Sequence, residues 1–131
     1  MNQGIWIDHK RAVIVTAAGE HVVSETVDSD LAAHPHYAGQ QDGGGEKKYE
    51  ARHNQQLDRY YDAVISRVAQ PDGLIVFGPG EAKLELEKRI RSQAHVGYAI
   101  EVETTDKLTD PQIVARVTEH FASRASSRRM P

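Results

Sequence analysis

The 131-residue sequence contains no cysteine. Disulfides and thiolate-ligated metals are therefore excluded, and the chain suits a reducing compartment. It also lacks any apolar run that approaches the length of a membrane-spanning helix. The opening Met1-Asn2-Gln3-Gly4 has neither a basic flank nor an apolar core, so it does not read as a signal peptide. A cytoplasmic chain with no membrane partner is expected. Nor is there an excess of positive charge. A formal net charge of −3 excludes a protein that coats nucleic acid by bulk electrostatics, and any RNA contact must come from a local patch or tail. The length fits one domain with a buried core of its own.

What is present is an alternation of short strands and helices. Residues 5–7 and 12–16 read as two strands joined by the polar turn Asp8-His9-Lys10-Arg11, a connection short enough for an antiparallel hairpin. Ala18-Gly19-Glu20 turns the chain into a third strand, 21–27. Periodicity then stops from residue 29 to about 53. Histidines, glycines and charges dominate there, and a mobile loop is expected. The helical period begins after it. Leu57, Tyr60, Tyr61, Val64, Ile65 and Val68 share one face, with Asn54 as N-cap and Pro71-Asp72-Gly73 as stop. The continuous apolar run Leu74-Ile75-Val76-Phe77 predicts a strand buried on both faces. Gly78-Pro79-Gly80 leads into a helix over about 81–93, and residues 99–103 make a last strand. Thr109 and Gln112 form a capping box for the final helix, with Pro111 in its first turn and Leu108 and Ile113 as a hydrophobic staple. Residues 1–122 are thus the expected domain. Residues 123–131, with Arg124, Arg128 and Arg129, are an expected frayed basic tail.

The order β-β-β-loop-α-β-α-β-α, with right-handed crossovers, gives an α/β fold with one mixed five-stranded sheet. The expected strand order is 3-2-1-4-5 with three helices on its two faces, a ribonuclease-H-like arrangement.

Several residue groups carry possible chemistry. Lys47, Lys48, Arg52 and Arg59, with Tyr49 among them, make a basic stretch that can track an RNA backbone and stack a base; Glu46, Glu50 and Asp58 dilute it, and a solvated helix entry is the competing reading. Gly78, Gly80 and Lys83 surround a helix start that can cradle an anion, although Glu81 competes for the same positive field and a tight turn also explains the glycines. Asp8, Glu81 and Asp106 are the carboxylates a two-metal nuclease would require, but each also suits a turn or helix start. His34, His36 and His53 with Glu46 have the spacing of solvated loop residues as much as of metal ligands. No metal or other cofactor is expected.

The stretches Ile5-Trp6-Ile7-Asp8-His9-Lys10-Arg11-Ala12-Val13-Ile14-Val15, Leu74-Ile75-Val76-Phe77-Gly78-Pro79-Gly80-Glu81-Ala82-Lys83 and Ile100-Glu101-Val102-Glu103-Thr104-Thr105-Asp106-Lys107 occur in that order over most of the chain. In this, the sequence resembles the central domain of the eukaryotic and archaeal class-1 release factors and Pelota, and their small bacterial relatives. The resemblance implies a partner in the ribosome, through ribosomal RNA or tRNA. In the release factors the loop after the third strand carries a Gly-Gly-Gln tripeptide that promotes peptidyl-tRNA hydrolysis. Here the matching place holds Ala38-Gly39-Gln40, with alanine where the chemistry wants the backbone freedom of glycine. Pelota lacks the tripeptide and binds ribosomes without hydrolysis. The resemblance therefore implies a non-catalytic RNA-binding module, with Lys47, Lys48, Arg52, Arg59, Arg128 and Arg129 near phosphates. The alternatives are a peptidyl-tRNA hydrolase acting through Gln40, a metal-dependent nuclease, and a protein-interaction domain.

Overall fold

The computed structural model describes residues 1–29, 45–93 and 96–129, with side chains outside 45–53 and 124–129. Within them the elements are β1 (Asn2–Ile7), β2 (Arg11–Ala18), β3 (His21–Asp28), α1 (Gly45–Ile65), β4 (Gly73–Gly78), α2 (Ala82–Gln93), β5 (Ala99–Thr104) and α3 (Asp110–Arg129). The strands form one sheet in the order β3-β2-β1-β4-β5, as expected. The meander β1-β2-β3 is antiparallel, while β4 runs parallel to β1 and β5 parallel to β4. The first hairpin turns where Asp8 allows it. Its Oδ1 accepts the backbone N–H groups of Lys10 and Arg11, each at 2.8 Å, a side-chain mimic of a backbone turn.

Strand alternation sorts the core into two layers. Ile5, Ile7, Ala12, Ile14, Leu74 and Val76 face α1 and α2 and pack on Tyr60, Tyr61, Val64, Leu86 and Ile90. Trp6, Val13, Val15, Ile75 and Phe77 face the other way and meet Ile113 and Val117 of α3. Gly4 lets α3 approach: a Cβ there would lie 2.4 Å from Val117 Cγ2. Arg11 locks the start of α3 onto the hairpin. It sits 5.0 Å from the centre of the Trp6 ring, donates to the Leu108 carbonyl at 3.0 Å and pairs with Asp110 at 2.6 Å.

One polar residue lies inside the first layer. Gln3 is 1% exposed, and its amide is fully used. Nε2 donates to Thr16 Oγ1 at 3.0 Å and to the Arg67 carbonyl at 2.9 Å, and Oε1 accepts from Ala69 N–H at 2.8 Å. The connection from α1 to β4 is thereby tied to the sheet. Beside that tie Gln70 takes φ of +49°, a left-handed conformation unusual for a residue other than glycine.

Both helix boundaries that face polar sequence are longer than expected. α1 begins at Gly45, nine residues before Asn54, so the second part of the expected loop is helical; residues 30–44 lie outside the described residues. From Glu46 to Val68 no glycine or proline interrupts a run rich in Glu, Lys, Arg, Gln and Ala, which favour helix without any apolar face. α3 likewise continues to Arg129, through the segment expected to fray, for the same reason. Its start is where the capping box puts it. Thr109 N–H donates to Gln112 Oε1 at 2.9 Å, and Gln112 N–H reaches Thr109 Oγ1 at 3.4 Å. Thr109→Ala is expected to cost about 1 kcal/mol, read as a lower urea midpoint with an unchanged m-value. An unchanged midpoint would show the cap to be redundant.

Candidate functional site

Helix α1 places three of the predicted RNA-binding residues on one line. Positions 48, 52 and 59 are four and seven residues apart, so by the helical period they fall on the same side of the helix. That side is opposite to the one occupied by Tyr60, Tyr61 and Val64, which are buried against the sheet. Arg59 is exposed, and position 47 lies about a third of a turn from the line. The sequence marks these residues but not their alignment, because without an apolar stripe Lys47, Lys48 and Arg52 read as loop. The signal for alignment was the unbroken helix-forming composition. Arg128 and Arg129 lie in the last turn of α3. Ala38, Gly39 and Gln40, and the histidines at 34 and 36, lie outside the described residues.

Acidic neighbours of that line are neutralised from α2. Arg89 donates to Asp62 at 2.7 and 3.1 Å, a bidentate pair, and to Asp58 at 3.2 Å. The Arg89 hydrogen bonds hold the Asp62 carboxyl below the ordinary carboxylate range, and the same bonds raise Arg89. A depressed folded-state pKa gives stability that is present above the unfolded value, near 3.9, and is lost as pH falls through the folded one. The Asp62 side chain is 48% exposed, so solvent screens the pair. Asp62→Asn is expected to cost less than about 1 kcal/mol at neutral pH and nothing in strong acid. Urea midpoints measured across the acid range check it; an undiminished difference below the carboxylate range would contradict the assignment.

The Gly78-Pro79-Gly80 turn closes the end of β4. Gly78 O accepts from Thr105 N–H at 3.0 Å, which joins this turn to the one after β5. Lys83 is 6% exposed, and its ammonium donates to the Gly80 carbonyl, folding back over the turn. Of the anion-cradle candidates, Gly78 and Gly80 frame the helix start, while the lysine is spent on the turn itself. The Glu81 carbonyl accepts from Leu84 and Glu85 N–H at 2.9 and 3.0 Å and so begins α2.

Of the carboxylates considered for metal chemistry, that of Asp8 serves a turn, while Glu81 and Asp106 take part in the described hydrogen bonds through their backbone carbonyls. Asp8 Oδ1 is committed to the hairpin, and the Asp106 carbonyl accepts from Trp6 Nε1 at 3.4 Å. Among the described residues no group of three or more histidine, aspartate or glutamate side chains converges as metal ligands would. A cluster that sequence reasoning did not find lies at this end of the sheet. Tyr61 OH donates to Glu85 Oε1, and His9 Nε2 lies 3.1 Å from the same oxygen. Tyr60 OH donates to the Asp8 carbonyl at 2.8 Å. Burial first, then neighbouring carboxylates, pushes both phenols well above their ordinary range, so they act as hydrogen-bond donors at every ordinary pH. Residues 9, 61 and 85 are far apart in sequence, and only the fold brings them together.

Comparison with solved structures decides the fold. The Pelota protein of Thermoplasma acidophilum superposes with a TM-score of 0.54 at 15% identity, over 88% of this chain and 30% of Pelota. The chain has a Pelota-like fold. Pelota of Archaeoglobus fulgidus matches at 13% identity and TM-score 0.49, over 97% of this chain and 37% of that one. An archaeal translation termination factor matches at 14% and 0.46, over 96% and 41%. The chain thus spans less than half the length of each of these three proteins. No protein-family model and no curated protein matches the sequence. The Pelota-like likeness agrees with the family resemblance of the sequence in fold, at identities that speak to fold alone.

Proposed function

We propose that this domain is a ribosome-associated translation factor that docks on ribosomal RNA or tRNA and performs no chemistry of its own. The observation that carries the reading is the line Lys48-Arg52-Arg59 on the side of α1 away from the sheet, in a domain whose fold is Pelota-like. A helix that carries cationic residues one and two turns apart on one side can follow a phosphate backbone. Pairing of Asp58 and Asp62 with Arg89 reduces the negative charge beside that line. Arg128 and Arg129 supply further cations at the end of α3.

The test compares two sets of variants in ribosome pelleting. Lys48→Ala with Arg52→Ala and Arg59→Ala is expected to weaken binding several-fold and to reduce the salt slope by about two to three, at close to one per lost phosphate contact. Lys47→Ala is expected to do less, being off the line. Gln40→Ala is expected to leave binding unchanged. If Gln40→Ala abolishes peptidyl-tRNA hydrolysis by the wild-type chain on loaded ribosomes, and the basic variants are silent, the chain is an esterase and the binding-module reading is wrong.

A further inference from the structure

The two edges of the sheet are treated differently. The β5 edge carries Glu101 and Glu103, each tied to α3: His120 Nε2 lies 2.6 Å from Glu101, and Arg116 lies 3.3 Å from Glu103. Among the described residues the β3 edge carries only two formal charges, Glu25 and Asp28, and few of the devices that keep edges apart. Its eight residues, His-Val-Val-Ser-Glu-Thr-Val-Asp, include no lysine, arginine or proline, and Val22 and Val23 are 38% and 64% exposed. Val23 is the most exposed large apolar residue among those described.

The free hydrogen-bonding groups of this edge follow from its register. Gly19 and Glu20 form a two-residue turn between the paired Ala18 and His21, which makes that pair hydrogen-bonded. Alternation then gives the odd-numbered residues of β3 to β2, and Ser29 N–H donating to the Lys10 carbonyl at 2.9 Å continues the series. Val22, Ser24 and Thr26 turn their N–H and C=O groups outward.

We propose that two copies of the chain pair antiparallel through β3, joining their sheets into one of ten strands with Val23 on the two-fold axis. A two-fold axis perpendicular to the sheet pairs residues of the same face, which limits the register to a few choices. With Glu25 on the axis, two carboxylates stand opposite each other. With Ser24 on the axis, each Val23 faces a Glu25. With Val23 on the axis, valine meets valine, Val22 meets Ser24 through their free backbone groups, and the His21 imidazole stands opposite the Glu25 carboxylate. That last register sets apolar against apolar on the axis and imidazole against carboxylate beside it, with the free backbone groups of Val22 and Ser24 paired between them. Glu25 is also held by Arg67 at 3.1 Å, which fixes its position for the incoming histidine.

Sedimentation velocity and light scattering of the full chain test this. The expected result is a concentration-dependent species of twice the 14.6 kDa of one chain. Ser24→Pro removes an outward N–H that β2 does not use, so it is expected to keep the fold and weaken pairing about tenfold or more. Val23→Lys sets two ammonium groups against each other on the axis and is expected to give monomer with an unchanged melting temperature. Mixing the Val23→Lys chain with a Val23→Glu chain is expected to restore a heterodimer, which only the register with Val23 on the axis predicts. Leu84→Lys, an exposed apolar site on α2, is expected to leave the dimer intact. A wild type that stays monomeric as concentration rises overturns the proposal, as does a dimer indifferent to Val23→Lys. Should Ser24→Pro fail to fold, the lysine and glutamate variants still decide.

Discussion

Gly78→Ala is expected to be the most damaging single-methyl addition in the described structure. A Cβ at this position would lie 2.2 Å from the Ile7 carbonyl oxygen, which is backbone of the neighbouring strand and cannot swing aside as a side chain does. The φ of +155° is also one that residues with side chains rarely adopt. Relief requires β1 and β4 to separate at their common end. Overpacking and backbone strain together are expected to cost about 3 kcal/mol or more. Gly80→Ala is the control within the same turn. Its φ of +104° is equally foreign to alanine, but no atom lies within 4 Å of the added methyl. Strain alone, on the order of 1–2 kcal/mol, is the expected loss. Urea midpoints for the pair separate clash from conformation, and equal midpoints would contradict the close approach at Gly78.

The second large effect is expected at Gln3. Gln3→Leu keeps the volume but leaves the Ala69 N–H and the Arg67 carbonyl without their side-chain partner in a part-buried place. Unpaired buried groups cost about 1–3 kcal/mol each, partly offset by the apolar replacement, so a net loss of about 2–4 kcal/mol is expected. Gln3→Glu is expected to be worse near neutral pH. Its Oε1 still accepts from Ala69, but the donor is gone and a charge enters a site that is 1% exposed. Part of that loss should return in acid, where the protonated carboxyl can donate. Midpoints across pH check this, and a Gln3→Leu chain as stable as wild type would mean that water or a shifted loop satisfies both groups.

The expected elements that rest on apolar pattern are all present. Leu74-Ile75-Val76-Phe77 forms a strand buried on both faces, and the strand order follows from a meander plus right-handed crossovers. The polar stretches were harder to read. Residues 45–53 and 123–129 are helical backbone without an apolar stripe, so a search for periodicity passes over them, whereas composition alone favours helix there. That difference carried over into the candidate site: Lys48 and Arg52 were named, but their alignment with Arg59 depends on where α1 begins. Gln3 gave no signal, since its partners lie 13 to 66 residues away. The Tyr61, Glu85 and His9 contact was hidden for the same reason. Lys83, legible as a cation near a helix start, is instead turned onto the Gly80 carbonyl three residues back.

Pelleting of the wild-type chain with ribosomes over a series of salt concentrations tests the central claim most directly. A helix-borne line of cations, with two arginines at the end of α3, predicts binding at low salt. The logarithm of the binding constant should then fall linearly against the logarithm of salt, with a slope on the order of −2 to −5. A chain that never pellets above its ribosome-free control, or one whose pelleting ignores salt, would contradict the claim and leave the Pelota-like fold serving another purpose.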